Sequence, residues 1–355
     1  MNLVKRVSAA ALVAVLATGA CDSGGEPETA PPDKVTYLTA VGAFGREAYA
    51  WVAKEKGFFA EAGIEVEIRP GSGTVENLGL LASGRAQFSA NDLSAVMIVL
   101  GNGKYRQDVR AVAAIQQRTL NSVTALSGTG VETPRDLAGR TIGGVRGGAP
   151  WLLFPAYAKL AGIDPASVKW IGVEAAQMPK LLAVRKVDGV GQFVVARPAV
   201  EKAAGGRPAV VLPYSDVLTD LYGNALVTST TVLREDPDLV RRFADALLAG
   251  LVYAVAHPAE AGQILRRYVP TADPVTAAAE IELMAPYIRA NGLVGVFEPA
   301  RVARAVAILR GTGIVTGELA TTDLVAFDLV TGSVRSGELA TTDLVAFDLV
   351  TGSVR

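Results

Sequence analysis

Few side chains in this sequence could do covalent chemistry. It carries one cysteine, Cys21, and one histidine, His257. Any Ser–His–Asp set would have to be built on His257, which precedes Pro258 between two expected helices, a surface position. Centres that need two histidines or several thiolates are excluded, so no metal and no cofactor are expected. Asp92 and Glu174, each just past an expected strand, are the carboxylates that could work as an acid–base pair if the fold joined them. A larger set suits recognition rather than reaction. Gly42, Phe44 and Arg46 follow the first strand, Ser72 lies in a Gly-Ser-Gly turn, Asn91 and Asp92 follow the third strand, and Gln117 the fourth. Farther on, Gly147, Gly148 and Trp151 open a helix, while Glu174 and Gln192 end later strands. Their hydroxyl, amide, carboxyl, guanidinium and aromatic groups could hold a small polar or flat molecule. The paired glycines spell neither GxGxxG nor GxxxxGK[ST], so a nucleotide cradle gains little support.

The elements that must position these residues alternate. Strands are expected at 35–40, 64–69, 86–90 and 109–116, with helices at 46–56, 74–83 and 91–100. This rhythm predicts a mostly parallel sheet with helices on both faces, an α/β fold. The pattern then restarts, with strands at 140–144, 168–173, 189–195 and 209–212 separated by helices. After a strand at 225–230 the chain turns helical, over 237–256, 258–268, 274–290 and 298–310. Two similar lobes follow: lobe I from 35–125 plus 226–316, lobe II from 126–225, with crossings near 122–130 and 222–230. Trp51 and Trp170 read as core, while Phe44, alone in a loop, reads as a cleft residue. In sheets of this kind ligands sit beyond the carboxyl ends of the strands, where helix N-termini offer free N–H groups.

The 355 residues suffice for about two such cores. Lys+Arg (34) and Asp+Glu (35) nearly cancel to a net charge of −1, which argues against a nucleic-acid partner. No apolar run reaches the ~20 residues of a membrane-spanning helix. Residues 1–20 carry Lys5 and Arg6, an apolar stretch from Val7 to Ala17, and then small residues, the layout of an export signal. Thr18-Gly19-Ala20-Cys21 resembles a bacterial lipoprotein cleavage box, with Thr18 where Leu is usual. The resemblance implies lipidation of Cys21 and a membrane anchor. Residues 22–34, rich in Gly, Pro and acids, read as a tether. At the other end, Gly317–Arg335 recurs without change as Gly337–Arg355. Two copies do not make a solenoid. One is expected to cover lobe I, partly through a short helix at 322–330, and the other has no reserved surface.

Several phrases carry a resemblance to a known family. VAKEKGFFAEAGIEVEIRPGSG, NLGLLASGRAQFSANDLSAV, ETPRDLAGRTIGG, LLAVRKVDGVGQFVVARPAV and EDPDLVRRFADALLAGLVYAVAHPAEAGQIL stand in the order seen in substrate-binding proteins of bacterial ABC importers. The chain most resembles the group serving thiamine-pyrimidine precursors, riboflavin, sulfonates, taurine and nitrate. The resemblance implies a two-lobed periplasmic-binding-protein-like fold (type II), each lobe a mostly parallel sheet flanked by helices, with two crossover strands. It implies a monomer that captures a small-molecule ligand by cleft closure and delivers it to an ABC permease and ATPase at the outer face of the cell membrane or in the periplasm. Phe44, Trp151 and Arg46 suit a thiamine-type pyrimidine or related vitamin, and Ser72, Arg46 and helix N-termini suit a sulfonate or nitrate. Two other readings remain, a ligand-loaded adaptor for a membrane sensor and an enzyme like the eukaryotic pyrimidine synthase. The second lacks the cysteine-rich motif and histidines of that relative.

Overall fold

The first strand, β1 (Asp33–Leu38), buries Val35 and Tyr37 on one face and begins an alternation that fills the first half of the chain. It is followed by β2 (Val41–Gly42), α1 (Ala48–Glu55), α2 (Phe58–Glu61), β3 (Ile64–Arg69), β4 (Gly71–Ser72) and α3 (Thr74–Ala82). Then come β5 (Phe88–Asp92), α4 (Leu93–Gly101) and β6 (Val109–Ala114). The middle of the chain repeats the pattern with β7 (Asn121–Leu126), β8 (Thr141–Gly144), α5 (Ala149–Leu160) and β9 (Lys169–Gly172). It ends with α6 (Met178–Ala183), β10 (Gly189–Phe193), α7 (Arg197–Ala203) and β11 (Ala209–Pro213). A last strand, β12 (Asn224–Ser229), leads into α8 (Thr230–Glu235), α9 (Pro237–Ala256), α10 (Pro258–Tyr268), α11 (Pro274–Met284) and α12 (Pro299–Gly311). This computed structural model describes residues 31–290 and 292–330. The expected export signal, Cys21 and the second tail copy lie outside the described residues.

The two five-stranded sheets share one plan. The first runs β3-β1-β5-β12-β6 and the second β9-β8-β10-β7-β11. In each, four strands point one way and a single strand runs against its neighbours, β12 in the first and β7 in the second. Both reversed strands come from the half of the chain on the other side of a crossing. The crossings occupy 115–120 and 214–223, ahead of the positions expected from sequence. Asn121–Leu126, read there as a crossover, is a strand buried at every residue. Its Asn, Ser and Thr look like loop, but they pair into the ladder, and Ser122 Oγ donates to Gln192 O at 3.1 Å.

Helix α9 covers the first sheet with a face of Val240, Phe243, Leu247 and Leu251. Phe243 stacks on Phe88 at 4.1 Å and on Phe59 at 4.9 Å, a packing whose loss costs about 3–5 kcal/mol for Phe→Ala. A helix expected over 46–56 is divided into a 3-10 turn at Gly45–Glu47 and α1, because the Glu47 backbone at the junction (φ −105°, ψ −3°) departs from α-helical dihedrals. The expected helix at 322–330 is reduced to a 3-10 turn at Thr321–Asp323. The chain then adds to the free edge of β6: Ala111 N donates to Leu324 O and Ala326 N to Ala111 O, both at 2.9 Å. Leu324, Val325 and Val330 are buried there, and Asp323 pairs with Arg106 at 3.2 Å.

The first tail copy thus covers an otherwise open sheet edge. Deleting residues 336–355 should leave the melting temperature unchanged. Deleting 317–355 should lower it by ~5 °C or more. Equal effects of the two deletions in calorimetry would contradict this division of roles.

Candidate functional site

In both sheets the strand order reverses direction beside the first strand of the lobe, between β1 and β5 and between β8 and β10. The carboxyl ends of those strands are where an open α/β sheet offers a crevice. They meet in one groove lined by Val41 from lobe I and by Val145, Gly148, Pro150, Trp151, Ala175, Met178, Gly191, Gln192 and Phe193 from lobe II. The lobes are closed on it. The free space is about 10 Å³, room for about one water molecule. Across the mouth, Val75 N donates to Gly147 O at 3.4 Å.

Lobe II supplies most of the wall. Trp151 lies on the first turn of α5, opened by Gly148, and packs at 5.2 Å from Trp170. Trp170 is half-buried and fits against the sheet because Gly191 has no side chain; a Cβ there would stand 2.5 Å from the indole. Gln192 is buried on β10 and is the one amide in the lining. The rest of that wall is apolar or aromatic.

Lobe I is organised by a residue that sequence reasoning missed. Asn77, fully buried on α3, donates to Thr39 O at 3.0 Å, Ala40 O at 3.1 Å and Ala90 O at 3.5 Å, and accepts from Ser72 N at 3.2 Å. It ties the ends of β1, β3 and β5 together. Gly71 lets this happen, since a side chain there would collide with Thr39 O and Asn77. The signal was available: Asn77 shares the buried face of α3 with Thr74, Leu78 and Leu81, and an amide on an apolar face needs partners.

Arg46 is also buried, its guanidinium 4.7 Å from the ring centre of Phe44 and 4.4 Å from that of Phe193. Nη2 donates to Val41 O at 3.0 Å, Nε stands 3.8 Å from Glu47 Oε1, and Nε makes no hydrogen bond among the described residues. Glu47 accepts from Tyr49 Oη at 3.1 Å and from Asn224 Nδ2 at 3.4 Å, and Glu280 of α11 accepts from Arg46 N at 3.4 Å. Burial pushes the Glu47 carboxyl from 4.5 up to about 7, with the Arg46 charge opposing. Burial raises Glu280 as well.

The other candidates divide. Gly42, with φ +64°, carries the ring of Phe44, and Phe44 is half-buried beside Arg46. Ser72 is exposed on β4, paired with Val41. Asn91 is buried, its Nδ2 on Ser89 Oγ at 2.5 Å and its Oδ1 without a partner among the described residues. Asp92 caps α4 through Ser94 N and Ala95 N and holds Asn121 Nδ2 at 2.8 Å. Burial raises it from 3.8 to about 6 against those three donors. Gln117 belongs to the first crossing, with N on Tyr287 O and Nε2 on Val296 O, so its groups are spent outside the groove. Glu174 is exposed and is not in the lining, although its neighbour Ala175 is. Asp92 and Glu174 therefore do not form a pair. His257 packs its ring 4.3 Å from Tyr253 between α9 and α10. Val41, Val145, Pro150, Met178 and Phe193 were not foreseen as lining, because nothing in their type marks them apart from core. Among the described residues no group of three or more His, Cys, Asp or Glu is placed to hold a metal.

Two sheets of one permutation, joined by two crossings and closed on a shared groove, define a two-lobed protein of the periplasmic-binding-protein fold. The chain belongs to the NMT1/THI5-like family, whose model matches residues 47–261. It is 25% identical over 225 residues to the riboflavin-binding protein RibY of Chloroflexus aurantiacus, covering 62% of each chain. It is 24% identical over 219 residues to the formylaminopyrimidine-binding protein of Halalkalibacterium halodurans, covering 61% of this chain and 65% of that one. The match thus spans under two thirds of either relative. The alkanesulfonate-binding protein SsuA of Xanthomonas axonopodis pv. citri, solved with MOPS, has the same fold, with a TM-score of 0.68, 13% identity and coverage of 83% and 99%.

Glu47 and Asp92 both hold their protons more tightly in the folded chain than in the unfolded one. The stability this gives is full below the unfolded values and is lost as pH rises through about 6 for Asp92 and about 7 for Glu47. The melting temperature should fall between about pH 4 and pH 7, and Glu47→Gln should flatten the upper part of the fall. A rise over this range, or an unchanged slope in the variant, would contradict the assignment.

Proposed function

We propose that this protein is the extracytoplasmic solute-binding component of an ABC importer, that it grips a flat, polar heteroaromatic solute of the pyrimidine or flavin kind, and that it delivers the solute unchanged. The observation that carries the ligand class is the composition of the groove. Trp151 and Phe193 offer ring faces, Val41, Val145, Pro150 and Met178 offer apolar walls, and Gln192 offers one donor and one acceptor. The family and the two curated relatives, named for riboflavin and formylaminopyrimidine, support it. A sulfonate or nitrate is the second reading, favoured by the α5 N-terminus at Gly148. No cation lines the groove among the described residues, and Arg46 is committed to Glu47 and Val41. The first reading is therefore preferred.

The site supports capture without catalysis, since Asp92 is engaged as a helix cap and Glu174 stands apart in solvent. Closure is the means of retention. The groove is too small in this state for a ring, so the lobes must part at the crossings to admit one and close on it afterwards. Cys21, after the export-type leader, is the lipid attachment that keeps the monomer beside the permease and ATPase. An adaptor for a membrane sensor would use the same groove with another partner.

Isothermal titration with riboflavin, formylaminopyrimidine, the thiamine hydroxymethylpyrimidine, MOPS and nitrate tests the ligand class. One of the three ring compounds should bind with Kd near micromolar, about −8 kcal/mol. Preference for MOPS or nitrate would select the second reading, and no binding of any would overturn both. Trp151→Ala and Gln192→Ala should each weaken the ring compound at least tenfold, about 1.4 kcal/mol, with melting temperature kept. Native affinity in both variants would remove the groove from the site.

A further inference from the structure

We infer that Arg301, on the first turn of α12, is a positioning residue: it pins both crossings to lobe I and so sets the angle at which the lobes meet. The inference rests on the two-lobed fold and needs no ligand. Nη2 of Arg301 donates to Gln117 O in the first crossing and to Leu221 O, at 3.4 Å, in the second. Nε donates to Asp220 O at 3.2 Å, and the guanidinium lies 4.1 Å from the ring centre of Tyr222. One side chain, 12% exposed, thus holds carbonyls from both connections.

The pinned segment carries its own marker. Asp220 has φ +62°, a left-handed backbone that a non-glycine residue adopts at a cost. Its side chain is held by Arg304 Nε at 3.0 Å, also from α12. Tyr222 is tied to the same helix, because its hydroxyl accepts from Glu298 N at 3.0 Å. The crossings also hydrogen-bond to each other, Thr119 N to Leu221 O at 3.0 Å and Gly223 N to Gln116 O at 3.2 Å. They form one ribbon, and Arg301 fastens that ribbon to α12. Closure turns backbone dihedrals in such connections. With Gln117, Asp220 and Leu221 pinned, the turning is confined to the few residues on the lobe II side of them. A lysine would keep the charge, but its single ammonium cannot span both crossings and stack on Tyr222.

Spin labels on Glu65→Cys in β3 and Lys169→Cys in β9, both exposed, report the separation of the lobes in the ligand-free full chain carrying Cys21→Ser. The background chain should give one narrow distance distribution. Arg301→Ala and Arg301→Lys should each broaden it roughly twofold while far-ultraviolet dichroism stays native. Arg304→Ala, which holds the Asp220 and Glu298 side chains but no crossing carbonyl, should broaden it less. An unchanged width in both Arg301 variants would overturn the inference, as would equal broadening by Arg304→Ala. So would failure of both Arg301 variants to fold, since Arg301 would then serve the core rather than the hinge. None of these outcomes bears on which solute binds, so the ligand reading is judged separately by titration.

Discussion

Each sheet is completed by a strand that arrives from the other lobe. β12 enters the first sheet between β5 and β6, starting with Asn224 opposite Asp92 at the carboxyl end of β5. β7 enters the second between β10 and β11, starting with Asn121 opposite Phe193 at the carboxyl end of β10. Because each crossing reaches its sheet from the groove side, the entering strand can only run away from the groove, against its neighbours. Its ladder hydrogen bonds are therefore antiparallel, and the lobes cannot separate without leaving two sheets incomplete. The carboxyl edges are thereby forced to face one another. Groove, crossings and the capacity to open all follow from that one pairing constraint.

The groove edge of lobe I is crowded with buried polar groups, and their partners explain why. Asn77 gathers the loops after β1 and β3 to the end of β5. Arg46 sits where two carboxylates, Glu47 and Glu280, converge in a dry environment. Burial raises both carboxyls, and the one guanidinium between them opposes that shift without cancelling it. The arrangement binds the loop after β1 to α1, β12 and α11 at once. Arg46 looks from sequence like a free cation for a ligand, but the structure spends it on holding Phe44 and Val41 in place.

Much of the architecture was legible because helices and parallel strands announce themselves by period and punctuation. The bounds of α5, α9 and α10 coincide with the apolar runs between Gly, Pro and Asp stops. β7 was illegible for the opposite reason: Asn121, Ser122 and Thr124 carry loop-like polarity, and what makes them strand is their backbone pairing with β10 and β11, which no local period announces. β2 and β4, two residues each, have no period to read. For the site, sequence placed Gly148, Trp151 and Gln192 in the groove lining, because strand ends and helix starts are fixed once the α/β pattern is known. It could not separate lining from core among Val41, Val145, Met178 and Phe193. That difference depends on which apolar face the opposite lobe leaves uncovered.

The ligand class we propose for the groove draws on the same partners. An anion is held by donors whose charge is not already matched, and among the described residues the groove lining holds no cation. Arg46 faces Glu47, and Arg146, 5.3 Å from the Trp151 ring centre, is not in the lining. A flat ring asks for something else: two apolar faces about a ring's thickness apart and a few edge groups to read its donors and acceptors. Trp151 and Phe193 can supply the faces and Gln192 the edge. Desolvating a nitrate or sulfonate against Val41, Val145 and Met178 would cost its hydration with little returned, whereas a heteroaromatic ring gains from the same walls.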